Sequence, residues 1–227
     1  LYGMQRNILC SSQNWNDPEF VLGLVADIEN KLGSGLYFGV GELIVIHWSY
    51  GGGRCSELHH AINSALVLKV SEVSGRFKKP LVIHMEAEPA ATEGLQKILR
   101  QRRGSKIVWA HNCGRANPEI IRNLLSNNPN LYCDLANMNG NGFYGSGQPK
   151  MADYTYLIMD RNQKLDQKQK ILMEEFPDRF VVGSDVAHTI GMKNNNIARN
   201  MNAMRLLLSQ INPQAASKIA YKNAIRI

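Results

Sequence analysis

Ionisable side chains that could move protons or bind a metal recur at the ends of short apolar runs. Glu42 closes Phe38-Gly-Val-Gly-Glu42, His84 closes Pro80-Leu-Val-Ile-His84, His111 closes Ile107-Val-Trp-Ala-His111, and Asp185 follows Phe180-Val-Val-Gly-Ser. Near-continuous apolar runs are typical of parallel strands that are covered on both faces. The carboxyl ends of such strands share one edge of a sheet, where α/β proteins place their chemistry. Two imidazoles and two carboxylates at that edge match the ligands of zinc or manganese.

The elements that would position these residues alternate between apolar runs and amphipathic stretches. The runs predict strands at 7–10, 37–46, 81–84, 106–110, 130–134 and 179–183. The stretches predict a helix that Asp17 caps and Pro18 begins, ending near Leu32, and further helices at 56–75, 92–103, 118–126, 163–176, 200–210 and 213–223. This alternation predicts an α/β fold with a parallel sheet, either open and doubly wound or closed as a (β/α)₈ barrel. A glycine-rich phosphate-binding motif is missing after the first strand, which argues against a dinucleotide-binding fold.

Composition narrows the class of protein further. The apolar share of 44% and charged share of 20% are those of a globular chain, and no apolar run is long enough for a membrane span. The net charge is +7, but the basic residues are scattered and lack interleaved aromatics, which argues against nucleic acid as a partner. The four cysteines form no CxxC pair, so we expect buried free thiols and a reducing, cytoplasmic location.

The order of the strand-end motifs resembles the amidohydrolase superfamily of metal-dependent hydrolases. The resemblance is nearest to the amidohydrolase-related branch that also holds lactonases and decarboxylases, and it covers roughly residues 36–227. It is carried by Gly39-Val-Gly-Glu42, Leu81-Val-Ile-His84, Trp109-Ala-His111, Asp178-Arg-Phe-Val-Val-Gly-Ser-Asp185 and the closing Lys222-Asn223-Ala224. It implies one distorted (β/α)₈ TIM barrel over residues 1–227, with the first one or two βα units missing from the chain.

The resemblance also implies roles for individual residues. His84, His111, Asp185 and Glu42 would bind a divalent metal ion, zinc by preference, with manganese or iron as alternatives. The metal would activate water to cleave a C–O or C–N bond of a small substrate, and a decarboxylase of the same branch would use the same scaffold. Asp185 would be the catalytic proton acceptor and then donor, and His111 a second ligand or the group that polarises the substrate carbonyl.

Four more residues close to the predicted strand ends are expected to contact substrate. Glu86 lies two residues after His84 and would point the same way in an extended chain. Arg115 offers a bidentate contact for a carboxylate, with Asn112 beside it, and His47 follows the strand that carries the first carboxylate. The Gly- and Asn-rich segment 139–150 is expected to be a mobile loop that shapes substrate choice.

One departure from the family keeps other hypotheses open. The His-x-His pair of the family's first strand is absent, and His59 and His60, adjacent in a predicted helix, cannot replace it. An N-terminally incomplete barrel is therefore expected. A TatD-like metal-dependent deoxyribonuclease, favoured by the basic charge, and a non-catalytic barrel without a metal site are the alternatives. A small-molecule substrate is the expected partner, and the sequence is compatible with a homo-oligomer.

Overall fold

The strands of the fold are short and are separated by helices, as the alternation of the sequence predicts. A computed structural model describes residues 14–47, 58–136, 138, 156–160, 162–185 and 196–227. Its strands are β1 (Val40–Ile44), β2 (Ile46–His47), β3 (Leu58–His59), β4 (Leu81–His84), β5 (Ile107–Trp109), β6 (Leu131–Asp134) and β7 (Phe180–Val181). Its helices are α1 (Pro18–Gly33), α2 (Ala65–Arg76), α3 (Pro89–Gln101), the six-residue turn Ala110–Arg115, α4 (Pro118–Asn127), α5 (Gln167–Glu175), α6 (Asn196–Leu208) and α7 (Pro213–Ser217), followed by a π-helical turn (Lys218–Lys222) and Asn223–Arg226.

Five of the strands form one parallel sheet in the order β1-β4-β5-β6-β7. Neighbouring strands are joined through helices, as parallel pairing requires. Both faces of the sheet are covered, because Ile83, Ile107 and Phe180 on one face are fully buried and Val108 and Tyr132 on the other face are more than nine-tenths buried. The predicted α/β class with a parallel sheet is thus confirmed, while closure into an eight-stranded barrel stays a prediction.

Helix starts follow the capping residues that the sequence supplies. The Asp17 carboxylate accepts a hydrogen bond from the Phe20 N–H at 2.8 Å, with Pro18 in the first turn, as predicted. Asn117 caps α4 in the same way, and Asp166 and Asn212 cap α5 and α7. Each cap satisfies an N–H that the helix itself leaves without a partner. None of the helices in the described part of the chain reaches the length and apolarity that a bilayer span requires.

Two of the predicted elements next to the site begin later in the structure than in the sequence-based prediction. The strand predicted from residue 37 begins at Val40, because Leu36 and Phe38 are about four-fifths exposed and lie outside the sheet. The helix predicted over 56–75 begins only at Ala65, where Ser64 caps it. His59 lies instead in β3, antiparallel to β2, so the placement of His59 and His60 in a helix was wrong. The predicted strand at 7–10 and loop at 139–150 lie outside the described residues.

The C-terminal Asn223 ties the end of the chain to the sheet. Its side-chain amide donates hydrogen bonds to the carbonyls of Pro177 and Phe180, both at 2.8 Å, and the residue is almost fully buried. Asn223 therefore stabilises the start of β7, at the end of the sheet opposite Glu42, His84 and His111.

Candidate metal centre

The carboxyl ends of three neighbouring strands bring Glu42, His84 and His111 together. Glu42 lies in β1, His84 ends β4, and His111 comes two residues after β5. His84 Nδ1 is 3.0 Å from Glu42 Oε1 and 3.0 Å from His111 Nε2, and the remaining Glu42–His111 separation is 3.8 Å. Both histidines are buried, and the Glu42 side chain is about one-third exposed. We call these three residues the ligand cluster.

The ligand cluster fits a divalent metal ion. A tetrahedral zinc ion with bonds of about 2.1 Å holds its ligand atoms about 3.4 Å apart, and the three observed separations straddle that value. Two imidazoles and one carboxylate are also the ligand set of several catalytic zinc sites, which leave a further position for water or substrate. Within the described residues, these three side chains form a group able to hold a metal.

The protonation of the two histidines follows from their surroundings. Burial disfavours the charged form of His84, but the hydrogen bonds and charges of Glu42 and Glu86 outweigh it and raise the pKa of His84 to about 9. Burial, followed by the neighbouring charges of His84 and Arg115, holds the pKa of His111 well below its usual range. Without a metal, the Nδ1–H group of His84 can therefore donate hydrogen bonds to Glu42 and to His111. A divalent cation would occupy the place of that proton.

The backbone that presents His111 is left-handed. The five residues 111–115 all have positive φ, between 53° and 68°, and four of them are not glycine. This conformation costs roughly 1–2 kcal/mol for each non-glycine residue, so the surroundings must hold it in place. We call residues 111–115 the left-handed turn.

Hydrogen bonds from the end of β6 and the residues that follow it hold the start of the left-handed turn. The Asp134 carboxylate at the end of β6 accepts from the backbone N–H groups of His111 and Ala136, both at 2.9 Å. The Ala136 carbonyl lies 3.0 Å from His111 Nδ1 and accepts a hydrogen bond from the Nδ1–H, which leaves His111 Nε2 without a hydrogen and facing the ligand cluster. Second contacts of this kind fix the orientation of metal-binding histidines.

A disulfide between Cys113 and Cys133 joins the left-handed turn to β6. The expectation of free thiols is therefore wrong for these two cysteines, and the part of the chain that the structure describes has no free cysteine. Both cysteines are buried, as expected, but the sequence does not show that the turn after β5 and the neighbouring strand β6 bring their sulfurs together. With this bond, the sequence-based reason for a reducing compartment falls away. Cys10 and Cys55 lie outside the described residues.

Glu86 and Arg115 form a buried ion pair behind His84. Arg115 Nη1 lies 2.8 and 2.9 Å from the two carboxylate oxygens of Glu86, whose side chain is fully buried. Glu86 Oε1 is also 3.6 Å from His84 Nε2. As predicted, Glu86 points to the same side of the chain as His84. Contact of either residue with a substrate stays a prediction.

Of the other predicted site residues, His47 lies beside the ligand cluster and Asn112 contacts a helix instead. The ring of His47 is 5.2 Å from that of His84, and burial, followed by the charge of His84, lowers the pKa of His47 to about 4. Asn112 is fully buried, and its amide exchanges hydrogen bonds of 3.2 and 3.0 Å with Gln169 in α5. The structure thus places His47 beside the ligand cluster and directs Asn112 towards a helix.

Asp185 lies at the same edge of the sheet, past the end of β7, with φ of 51°. It is not part of the group of ligand atoms that lie within 4.8 Å of one another. Burial raises the pKa of Asp134 to about 7 against its two hydrogen bonds, and the charges of Glu42 and Asp185 add to the rise. Asp185 is therefore within electrostatic reach of the site, and its role as a metal ligand and catalytic acid stays a prediction.

Asp134 was missing from the predicted site residues, although its position offered a signal. It ends the apolar run Leu131-Tyr-Cys-Asp134 as His84 ends its own run, and its carboxylate positions the backbone of His111. The disulfide and the left-handed turn had no comparable signal, because both depend on contacts between segments that are distant in sequence.

Comparisons with known proteins agree with this fold. No family model and no curated protein matches the chain. Among solved structures, it is similar to a probable 2-pyrone-4,6-dicarboxylic acid hydrolase from Acinetobacter baumannii, with a TM-score of 0.55 and 12% identity over 99% of this chain and 76% of that one. It is also similar to a 2,6-dihydroxybenzoate decarboxylase from Rhizobium (TM-score 0.51, 11% identity, 89% of this chain and 65% of that one). A dihydroorotase from Campylobacter jejuni gives a TM-score of 0.50 and 16% identity, over 87% of this chain and 61% of the dihydroorotase.

These solved structures are members of the amidohydrolase superfamily. The predicted resemblance is therefore confirmed at the level of the fold. The chain spans about two-thirds of the length of the decarboxylase and rather less of the dihydroorotase.

Proposed function

We propose that the protein is a metal-dependent enzyme of the amidohydrolase type, which cleaves a C–O or C–N bond of a small substrate or removes its carboxylate. The ligand cluster carries this proposal. Two buried histidines and a carboxylate, brought together by three neighbouring strands, meet at the edge of the sheet where α/β enzymes place their chemistry. A buried cluster of this kind is costly for a fold that makes no use of it, because it removes polar groups from water.

The side chains divide into binding and positioning roles. A divalent cation held by Glu42, His84 and His111 would supply Lewis acidity and lower the pKa of water. The Ala136 carbonyl keeps His111 in the tautomer that binds through Nε2. His47 remains neutral at pH 7 and, beside His84, can accept a hydrogen bond from a substrate. We assign proton transfer to and from the reacting group to Asp185, at the same edge of the sheet.

Metal analysis tests this function most simply. The protein, dialysed against zinc and then against buffer, is expected to retain one zinc ion per chain, and Glu42→Gln, His84→Gln and His111→Gln are each expected to retain far less. His59→Gln is the matched control, because His59 is an exposed histidine that contacts Glu88 rather than the ligand cluster. Manganese and iron are tested in the same way, because the donor set also suits them.

Two outcomes would separate this function from its alternatives. Loss of bound zinc in the His59 control alone, or no retention by the unaltered protein, would contradict the metal-dependent enzyme and leave the non-catalytic barrel. Zinc-dependent cleavage of single-stranded DNA, with no turnover of lactones, cyclic amides or aromatic carboxylates, would replace the small-molecule substrate with the nuclease alternative.

A further inference from the structure

Glu86 has an environment that a surface acid would not have. Its side chain is fully buried, two residues after His84, and both of its oxygens contact Arg115 Nη1. A buried carboxylate is costly unless a cation and hydrogen bonds compensate it. Arg115 supplies the cation, and the pair also lies against His84, with Glu86 Oε1 3.6 Å from His84 Nε2.

The position of the ion pair determines which ring nitrogen of His84 faces it and which faces the metal site. His84 Nδ1 faces Glu42 and His111, so the opposite ring nitrogen, Nε2, is the one that faces Glu86. When a metal takes the place of the Nδ1 proton, the remaining proton of the His84 ring lies on Nε2, where the negative charge of Glu86 stabilises it. Carboxylates that contact the far nitrogen of a metal-binding histidine fix its orientation in this way.

Arg115 connects this arrangement to the second histidine. It ends the left-handed turn that begins with His111, and two more contacts join the same segments. Trp109 Nε1 donates to the Met85 carbonyl at 2.6 Å, and the Ala87 N–H donates to the Gly114 carbonyl at 3.2 Å. The ion pair therefore joins the segment that directly follows His84 to the turn that contains His111.

We propose that Glu86 and Arg115 are a positioning pair, which holds His84 with Nδ1 towards the metal and fixes the spacing between His84 and His111. Neither residue belongs to the group of ligand atoms that could hold the metal. The proposal rests on the metal site of the proposed function and gives these two residues a task other than the substrate contact expected from the sequence.

A zinc-binding measurement on neutral variants tests the pair. Glu86→Gln keeps the shape of the side chain but removes its charge, and the double variant Glu86→Gln/Arg115→Gln replaces the ion pair with two neutral amides, so that no buried charge is left without its partner. We expect zinc to bind at least about tenfold more weakly to both, measured by competition with a chromophoric chelator. Asn223→Ala is the matched control, since it also removes a buried polar side chain but at the opposite end of the sheet.

Nitrogen-15 spectra of the histidine rings supply a readout that loss of stability would not change. In the zinc-loaded protein, His84 is expected to bind through Nδ1 with its proton on Nε2, and the two Glu86 variants are expected to show a mixture of rings that bind zinc through Nδ1 and rings that bind it through Nε2. The proposal would be overturned if the two Glu86 variants kept the zinc affinity and the zinc-binding ring nitrogen of the unaltered protein. It would also be overturned if Asn223→Ala lost as much zinc affinity as they do. Failure of the unaltered protein to bind zinc would instead contradict the proposed function.

Discussion

The ends of β4 and β5 each present one histidine to the same point, but their backbones do so differently. His84 is the last residue of a regular strand, and the groups that orient it are side chains, Glu42 and Glu86. His111 begins a left-handed turn, and the groups that orient it are Asp134, the Ala136 carbonyl and a disulfide two residues further along. The first histidine is positioned by charge and the second by a strained, cross-linked backbone.

Because of this difference, we expect substitutions at the two strand ends to affect different properties of the protein. Changes around β4 should affect metal binding more than folding, because the backbone there is ordinary and the Glu42 side chain is partly exposed. Changes around the left-handed turn should affect folding first, because the surrounding contacts must offset the cost of four non-glycine residues with positive φ.

The largest expected effect is at the one glycine of the turn. Gly114 has φ of 68°, and a Cβ there would lie 2.4 Å from the Met85 carbonyl oxygen and 2.7 Å from the Trp109 ring. Gly114→Ala should lower the free energy of unfolding by about 4 kcal/mol, from the left-handed conformation and from overpacking. Urea denaturation measures it. Gly23→Ala is the control, because nothing lies within 4 Å of a Cβ at that position in α1. Equal stability of the two variants would show that the turn is not closely packed.

The second effect is that of the disulfide. Cys113→Ala/Cys133→Ala opens a link across 20 residues and should lower the free energy of unfolding by about 3 kcal/mol. The unaltered protein unfolded with and without a dithiol reductant should show a similar difference. Because the bond lies two residues from His111, zinc affinity should fall as well. Unchanged stability in the double variant would mean that hydrogen bonds alone hold the turn.

At the β4 side, Glu42→Gln should change stability by less than about 1 kcal/mol in metal-free buffer. Its amide oxygen can still accept the hydrogen bond from His84 Nδ1, and the side chain is one-third exposed. Chemical denaturation in the presence of a chelator measures the change. A loss as large as that of Gly114→Ala would contradict the distinction between the two strand ends.

The smallest expected effect is on the pH dependence of stability, and it comes from His60, a histidine that lies at neither strand end. The His60 ring stacks on Trp15 at 4.0 Å between ring centres, and burial lowers the pKa of His60. The His60 ring is therefore protonated more readily in the unfolded chain than in the folded state. Its contribution to stability is fully present above about pH 6.5 and decreases as the pH falls below that value. His60→Phe keeps the stack without the titration, and its stability should change less between about pH 7.5 and about pH 5. An identical pH profile would exclude His60 as the source.

The two strand ends also explain how far the sequence could predict the site. Glu42, His84 and His111 were accessible to sequence reasoning because apolar runs locate strands and a polar residue at the end of a run locates the sheet edge. The left-handed turn was not, because His111, Asn112 and Cys113 have no intrinsic preference for positive φ strong enough to predict it, and distant contacts impose it. The same holds for the disulfide, since the separation of two cysteines in sequence does not determine their distance in space.

At residues 37–38 and at His59, the sequence predicted elements that the structure does not have there. An apolar run predicted a strand from residue 37, but sheet pairing begins only at Val40, where the Pro80 carbonyl accepts its N–H. His59 was placed in a helix by the periodicity of the residues that follow it, yet Leu58 and His59 pair with β2. Local pattern therefore located the elements, and pairing with a neighbour decided where each begins.

Anomalous X-ray diffraction from zinc-loaded crystals of the protein tests the central claim most directly. The account predicts one zinc peak bound by Glu42 Oε1, His84 Nδ1 and His111 Nε2, with bonds of about 2.0–2.2 Å. A zinc peak bound elsewhere, or an ordered ligand cluster without zinc at saturating metal, would contradict it.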